Sequence, residues 1–146
     1  MRALISATAL AGGLAAAVPA QAEGQKDLVT ILTAPEAQTQ LMAMVLTNAA
    51  VQQGAEAHIL LCGPAGDLAL KDAPESATAG QPPRDVSPQG LMRMMMDEAN
   101  VTVEVCAIYL PGMGADESVL IDGVTAAEPG PMASAIMGDN TTVMSF

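Results

Sequence analysis

The chain has almost no aromatic side chains: no tryptophan, one tyrosine and one phenylalanine among 146 residues. Proteins that stack sugars or bases rely on several such rings, so those functions are poorly served here. The core must be assembled from Leu, Ile, Val, Met and Ala instead. Basic residues are scarce too. Five Lys and Arg stand against sixteen Asp and Glu, a formal net charge of −11. A surface this anionic repels phosphate backbones and acidic lipid head groups, so nucleic acid and membrane surfaces are poor partners. Histidine occurs once, at His58, so any Ser-His-Asp or Cys-His arrangement would have to run through it. The glycine-bearing loops Gly63-Pro64-Ala65-Gly66 and Gly112-Met113-Gly114 match no phosphate-cradling fingerprint, and no cofactor is expected. Two cysteines, Cys62 and Cys106, are too few for a disulfide-stapled scaffold.

The first residues read as an export signal. Met1-Arg2 supplies a positive charge, Ala3 to Val18 is uncharged and apolar, and Pro19 breaks the run. Ala20-Gln21-Ala22 then offers the small-x-small pattern of a signal-peptidase site, with cleavage expected after Ala22. The run is too short and too rich in Ala and Gly to span a bilayer, which takes about 20 strongly apolar residues. The expected location is the periplasm, with no membrane association after cleavage. The mature chain, 23–146, has the length of one domain with a single core.

Within it, apolar runs alternate with helical patterns. Leu28-Val29-Thr30-Ile31-Leu32-Thr33 and His58-Ile59-Leu60-Leu61-Cys62 read as buried strands. Between them Pro35 and Glu36 open a helix that Gly54 closes. Residues 72–86, rich in Pro, Ser, Gly and charge, read as a surface loop. Ser87 is an N-cap and Pro88 the first helical position of a helix running to about Ala99. Val101 to Leu110 carries the strongest strand signal, stopped by Pro111-Gly112. A short helix over Asp116 to Ile121, a weak strand at Gly123-Val124-Thr125, a helix over Pro131 to Met137 and a closing strand at Thr142 to Phe146 complete the chain. Alternation of this kind predicts a single-domain α/β fold with a mainly parallel sheet of about five strands, covered on both faces. In such sheets, functional groups gather beyond the carboxyl ends of the strands. Cys62 and Cys106 both lie at or near such ends.

Cys106 reads either as a nucleophilic thiol, active as thiolate, or as a small buried hydrophobe. Cys62 can be a resolving thiol, a disulfide partner or a packed residue. No basic residue occurs between Tyr109 and Gly114, just after Cys106. Met92, Met94, Met95 and Met96 on one helix, with Met113, raise a soft-metal reading, because thioethers and a thiolate suit Cu(I). Met is also ordinary filler in a core poor in aromatics, and these four point in several directions. His58, mid-strand, reads as an interior or edge residue.

Three stretches resemble the DsrE/DsrF/TusD sulfur-relay family: Leu28 to Asn48, Val101-Thr102-Val103-Glu104-Val105-Cys106, and Leu120-Ile121-Asp122-Gly123-Val124 with Val143-Met144-Ser145-Phe146. The resemblance implies a flavodoxin-like three-layer fold and assembly into a homo-oligomer, trimer or hexamer. It also implies Cys106 as persulfide carrier, exchanging sulfane sulfur with a donor or acceptor protein or a small sulfur species. In a flavodoxin-like strand order the first strand lies between those of Cys62 and Cys106. Two inter-strand spacings, about 9.6 Å, exceed what a disulfide spans, so a bond between them would need loop excursions to close the gap. The alternatives are a non-catalytic binding or assembly module with a structural Cys, and a periplasmic Cu(I) binder.

Overall fold

The computed structural model describes residues 26–146. The expected signal peptide, 1–22, lies outside the described residues. Five strands form one parallel sheet: β1 (Asp27–Leu32), β2 (Glu56–Leu61), β3 (Thr102–Val105), β4 (Thr125–Ala126) and β5 (Thr141–Ser145). Five α-helices alternate with them: α1 (Ala37–Gln52), α2 (Glu75–Thr78), α3 (Pro88–Ala99), α4 (Tyr109–Met113) and α5 (Pro129–Ile136). The single-domain α/β reading is therefore correct. No helix among the described residues is long and apolar enough to cross a membrane.

The strand order is β4-β3-β2-β1-β5, which corrects one expectation. β1 does not separate β2 from β3. Those two pair directly, Leu61 opposite Val105, so the next residues along, Cys62 and Cys106, emerge side by side.

Alternation along each strand divides the core. Leu32, Ile59, Leu61, Val103 and Val105 face α1 and α3, where they meet Met44, Leu91, Met92 and Met95 in one buried cluster. Val29 and Leu60 face the other way, onto Met132 of α5. The first face is thickly covered; the second is closed by the single eight-residue helix α5. α3 begins as its sequence indicates, with the Ser87 hydroxyl accepting from the Gly90 N–H at 3.0 Å. Met92 and Met95 are fully buried and Met94 and Met96 pack against the same cluster, so these thioethers are core filler.

A polar pair is sealed beneath α1. The Thr47 hydroxyl donates to the Ala43 carbonyl at 2.8 Å, which leaves Thr30 as the donor in the 2.8 Å bond between the two hydroxyls. Both side chains are fully buried. Thr47→Val should strand the Thr30 hydroxyl and cost about 1–3 kcal/mol. Adding Thr30→Val removes the orphaned donor and should recover most of that loss. Urea unfolding of the three variants checks it; an additive double variant would contradict the arrangement.

Two segments differ from expectation. The loop 72–86 is not structureless: it contains α2, whose Ala77 is buried, and a bridge between Gln81 and Val86. The run Val101 to Leu110 is not one strand, since β3 stops at Val105 and Tyr109 already begins α4. An apolar run by itself does not separate a buried strand from a buried helical turn. Here Ile108 is 81 % exposed, which no interior strand position would allow.

Candidate functional site

The site lies at the carboxyl end of the sheet. The backbone N–H of Cys62 donates to the Leu32 carbonyl at 2.9 Å, and that of Cys106 to the Leu61 carbonyl at 2.8 Å. Each cysteine is thereby hydrogen-bonded to the neighbouring strand one step past the last residue of its own. Their Cα atoms are 5.1 Å apart, and the sulfurs are joined in a disulfide. Of the three readings of Cys62, the disulfide partner is the one observed, and no loop excursion is needed to reach it. An intervening strand would hold the two backbones too far apart to bond; β2 and β3 pair directly, and none intervenes.

Both cysteines are partly buried and pack against Val29, Leu60, Ala127 and Met132, alongside Ile31, Ala135 and Ile136. α5 contributes Met132 to the cluster against which the cysteines pack. No basic residue lies in either of the segments that follow the cysteines, 63–69 and 107–114. Lys71 instead reaches the Ser118 carbonyl at 2.9 Å and the Asp122 carboxylate at 3.8 Å.

A second link joins the two cysteine-bearing loops, and sequence reasoning did not find it. The Tyr109 hydroxyl, three residues past Cys106, donates to Asp67 Oδ1 at 2.7 Å, and Asp67 belongs to the 3₁₀ segment Gly63–Ala69 that follows Cys62. Burial, with the Asp67 carboxylate beside it, pushes the Tyr109 phenol well above its ordinary value, so it remains a donor. The ring lies directly on Gly66, where an added Cβ would stand 2.3 Å from a ring carbon. Only glycine admits that approach. Gly66→Ala should therefore cost about 1–3 kcal/mol through overpacking. The tyrosine ring should shift, which near-ultraviolet circular dichroism would detect; an unchanged signal and stability would refute the contact.

His58 is placed elsewhere. It precedes Cys62 by four residues on β2, about 13 Å along a strand. Its Nε2 lies 2.7 Å from Glu104 Oε2, across to β3, on the half-exposed face of the sheet. His58 also lines a cleft of about 780 Å³ at the amino ends of the strands, with Thr102, Ser134 and Thr141, away from the cysteines. The strand of His58 does neighbour that of Cys106, contrary to expectation, but no Cys-His dyad results. Among the described residues no group of His, Cys, Asp and Glu is disposed to hold a metal ion. Met113, the methionine nearest Cys106 in sequence, is half-exposed on α4.

With this geometry in hand, comparison with solved structures identifies the architecture. The YchN protein from E. coli superposes with a TM-score of 0.65 at 19 % identity, covering 84 % of this chain and 99 % of that one. Protein MTH1491 from Methanobacterium thermoautotrophicum, described as of unknown function, gives a TM-score of 0.58 at 11 % identity, covering 84 % and 100 %. The fold is shared. No family model matches the sequence, and no curated protein matches it. At these identities the likeness speaks for architecture alone.

Proposed function

We propose that the protein binds or relays sulfane sulfur, carried as a persulfide on Cys106, in an exported and homo-oligomeric form. The observation that carries this reading is the seat of Cys106: past the carboxyl end of β3, partly buried, and within bonding distance of a second thiol. Carboxyl ends of parallel strands are where α/β folds collect reactive groups. The resemblance of Val101 to Cys106 to the sulfur-relay family supports the same role. Cys62 is the resolving thiol.

The test begins with reduced protein, treated with a polysulfide donor and analysed by intact and peptide mass spectrometry. The expected product carries one extra sulfur atom on the peptide containing Cys106, and Cys106→Ser abolishes it. Reduced Cys106 that is inert to both donor and alkylating agents would overturn the reading. That outcome would favour a second one, which the disulfide itself supports: a binding or assembly module in which the bond is a structural staple of an exported protein.

A further inference from the structure

We propose that the Cys62–Cys106 disulfide is itself an acceptor site, and that its substrate is inorganic sulfide, which enters as hydrogen sulfide and splits the bond. The inference rests on Cys106 being the sulfur carrier, and it adds what the oxidised protein reacts with.

Three observations point to a small, uncharged nucleophile. Both cysteines are partly buried and pack against the cluster of Val29, Leu60, Ala127 and Met132, an apolar wall. Neither cysteine-bearing loop offers a cation to receive an anion. The chain as a whole, at −11, slows the approach of anionic sulfur donors, thiosulfate and polysulfide among them, relative to a neutral one. Hydrogen sulfide is the smallest sulfur nucleophile and has a neutral form near neutral pH, so neither the wall nor the field opposes it.

The step balances without a further reagent. The sulfide sulfur attacks Cys106 Sγ in line with the disulfide, and a new S–S bond forms there. The Cys62–Cys106 bond breaks, its electron pair leaves on Cys62 Sγ, and the resulting thiolate takes a proton from the incoming hydrogen sulfide. The products are a Cys106 persulfide and a Cys62 thiol. Sulfide is oxidised to sulfane sulfur and the protein disulfide is reduced. Reversal is equally direct: Cys62 attacks the inner sulfur and expels sulfide.

Reversal requires the thiol to stay where the bond left it. The Tyr109–Asp67 hydrogen bond and the seat of the ring on Gly66 join the two loops independently of the sulfurs. They keep Cys62 beside Cys106 after the bond opens. Tyr109 and Asp67 thus act as positioning residues for a store that charges at high sulfide and discharges at low.

The experiment uses oxidised wild-type protein, treated anaerobically with freshly prepared sodium sulfide and no other thiol. Mass spectrometry should show a gain of one sulfur and two hydrogens, with the sulfane sulfur on Cys106 and Cys62 open to alkylation. Removal of sulfide by desalting should restore the disulfide, and Tyr109→Phe should slow that restoration at least several-fold. In Cys62→Ser, folding confirmed by circular dichroism, sulfide should add nothing while polysulfide still loads Cys106. Oxidised wild-type protein inert to sulfide would overturn the inference, even if reduced wild-type protein loads from polysulfide. Failure of both arms would overturn the persulfide function as well. Addition at Cys62 rather than Cys106 would also overturn it.

Discussion

Reducing the Cys62–Cys106 bond should lower the free energy of unfolding by about 4 kcal/mol, the chain-entropy expectation for the 44-residue separation it closes. The effect acts mainly on the unfolded chain. In the folded protein the Cys62 and Cys106 backbones are already fixed by their bonds to Leu32 and Leu61, and Tyr109 still bridges to Asp67. Reduction should therefore leave the far-ultraviolet circular dichroism of the native state unchanged while moving the denaturant midpoint substantially. Guanidinium unfolding with and without a phosphine reductant measures the shift, and the Cys62→Ser/Cys106→Ser variant should match the reduced protein. Coincident midpoints would show that the bond restricts nothing in the unfolded ensemble. The size of the effect bears on function too: a domain of ordinary stability, about 5–15 kcal/mol, remains folded after it, so the dithiol form is available for chemistry.

Truncation at Leu61 should be of similar size. Leu61 is fully buried in the cluster between the sheet and helices α1 and α3, and it immediately precedes Cys62. Leu61→Ala removes its contacts and leaves a cavity that the paired strands cannot collapse into, at about 2–5 kcal/mol. Leu60→Ala, one residue earlier, opens space on the other face, where the single helix α5 can settle inward, so its cost should be smaller. Thermal unfolding of the two variants orders them. Equal losses would mean that α5 holds its face as firmly as α1 and α3 hold theirs.

The elements of this fold were largely written in the chain, and their neighbours were not. Leu28 to Leu32, the Ser87-Pro88 start of α3 and the closing strand from Thr141 all follow from local patterns: β-branched runs, a capping serine, a proline at the first helical turn. Strand adjacency has no such local signature. His58 to Leu61 would read the same whether β3 lay directly beside β2 or on the far side of β1, yet that choice decides whether the cysteines bond. The carboxyl-end position of Cys106 was legible because alternation fixes which end of a strand it occupies. The Tyr109–Asp67 bridge was not, because its partners are 42 residues apart and meet only once β2 and β3 pair. Gly66 read as one glycine of a loop, with nothing in the sequence to reveal the ring above it.

The placement of Tyr109 has an optical consequence. It is the chain's sole tyrosine, and tryptophan is absent, so the tyrosine emission of the folded protein comes from one ring. That ring is three residues from Cys106 and seated on the loop that follows Cys62. A change of sulfur oxidation state at this end of the sheet should register as brightness, without a dye, in real time.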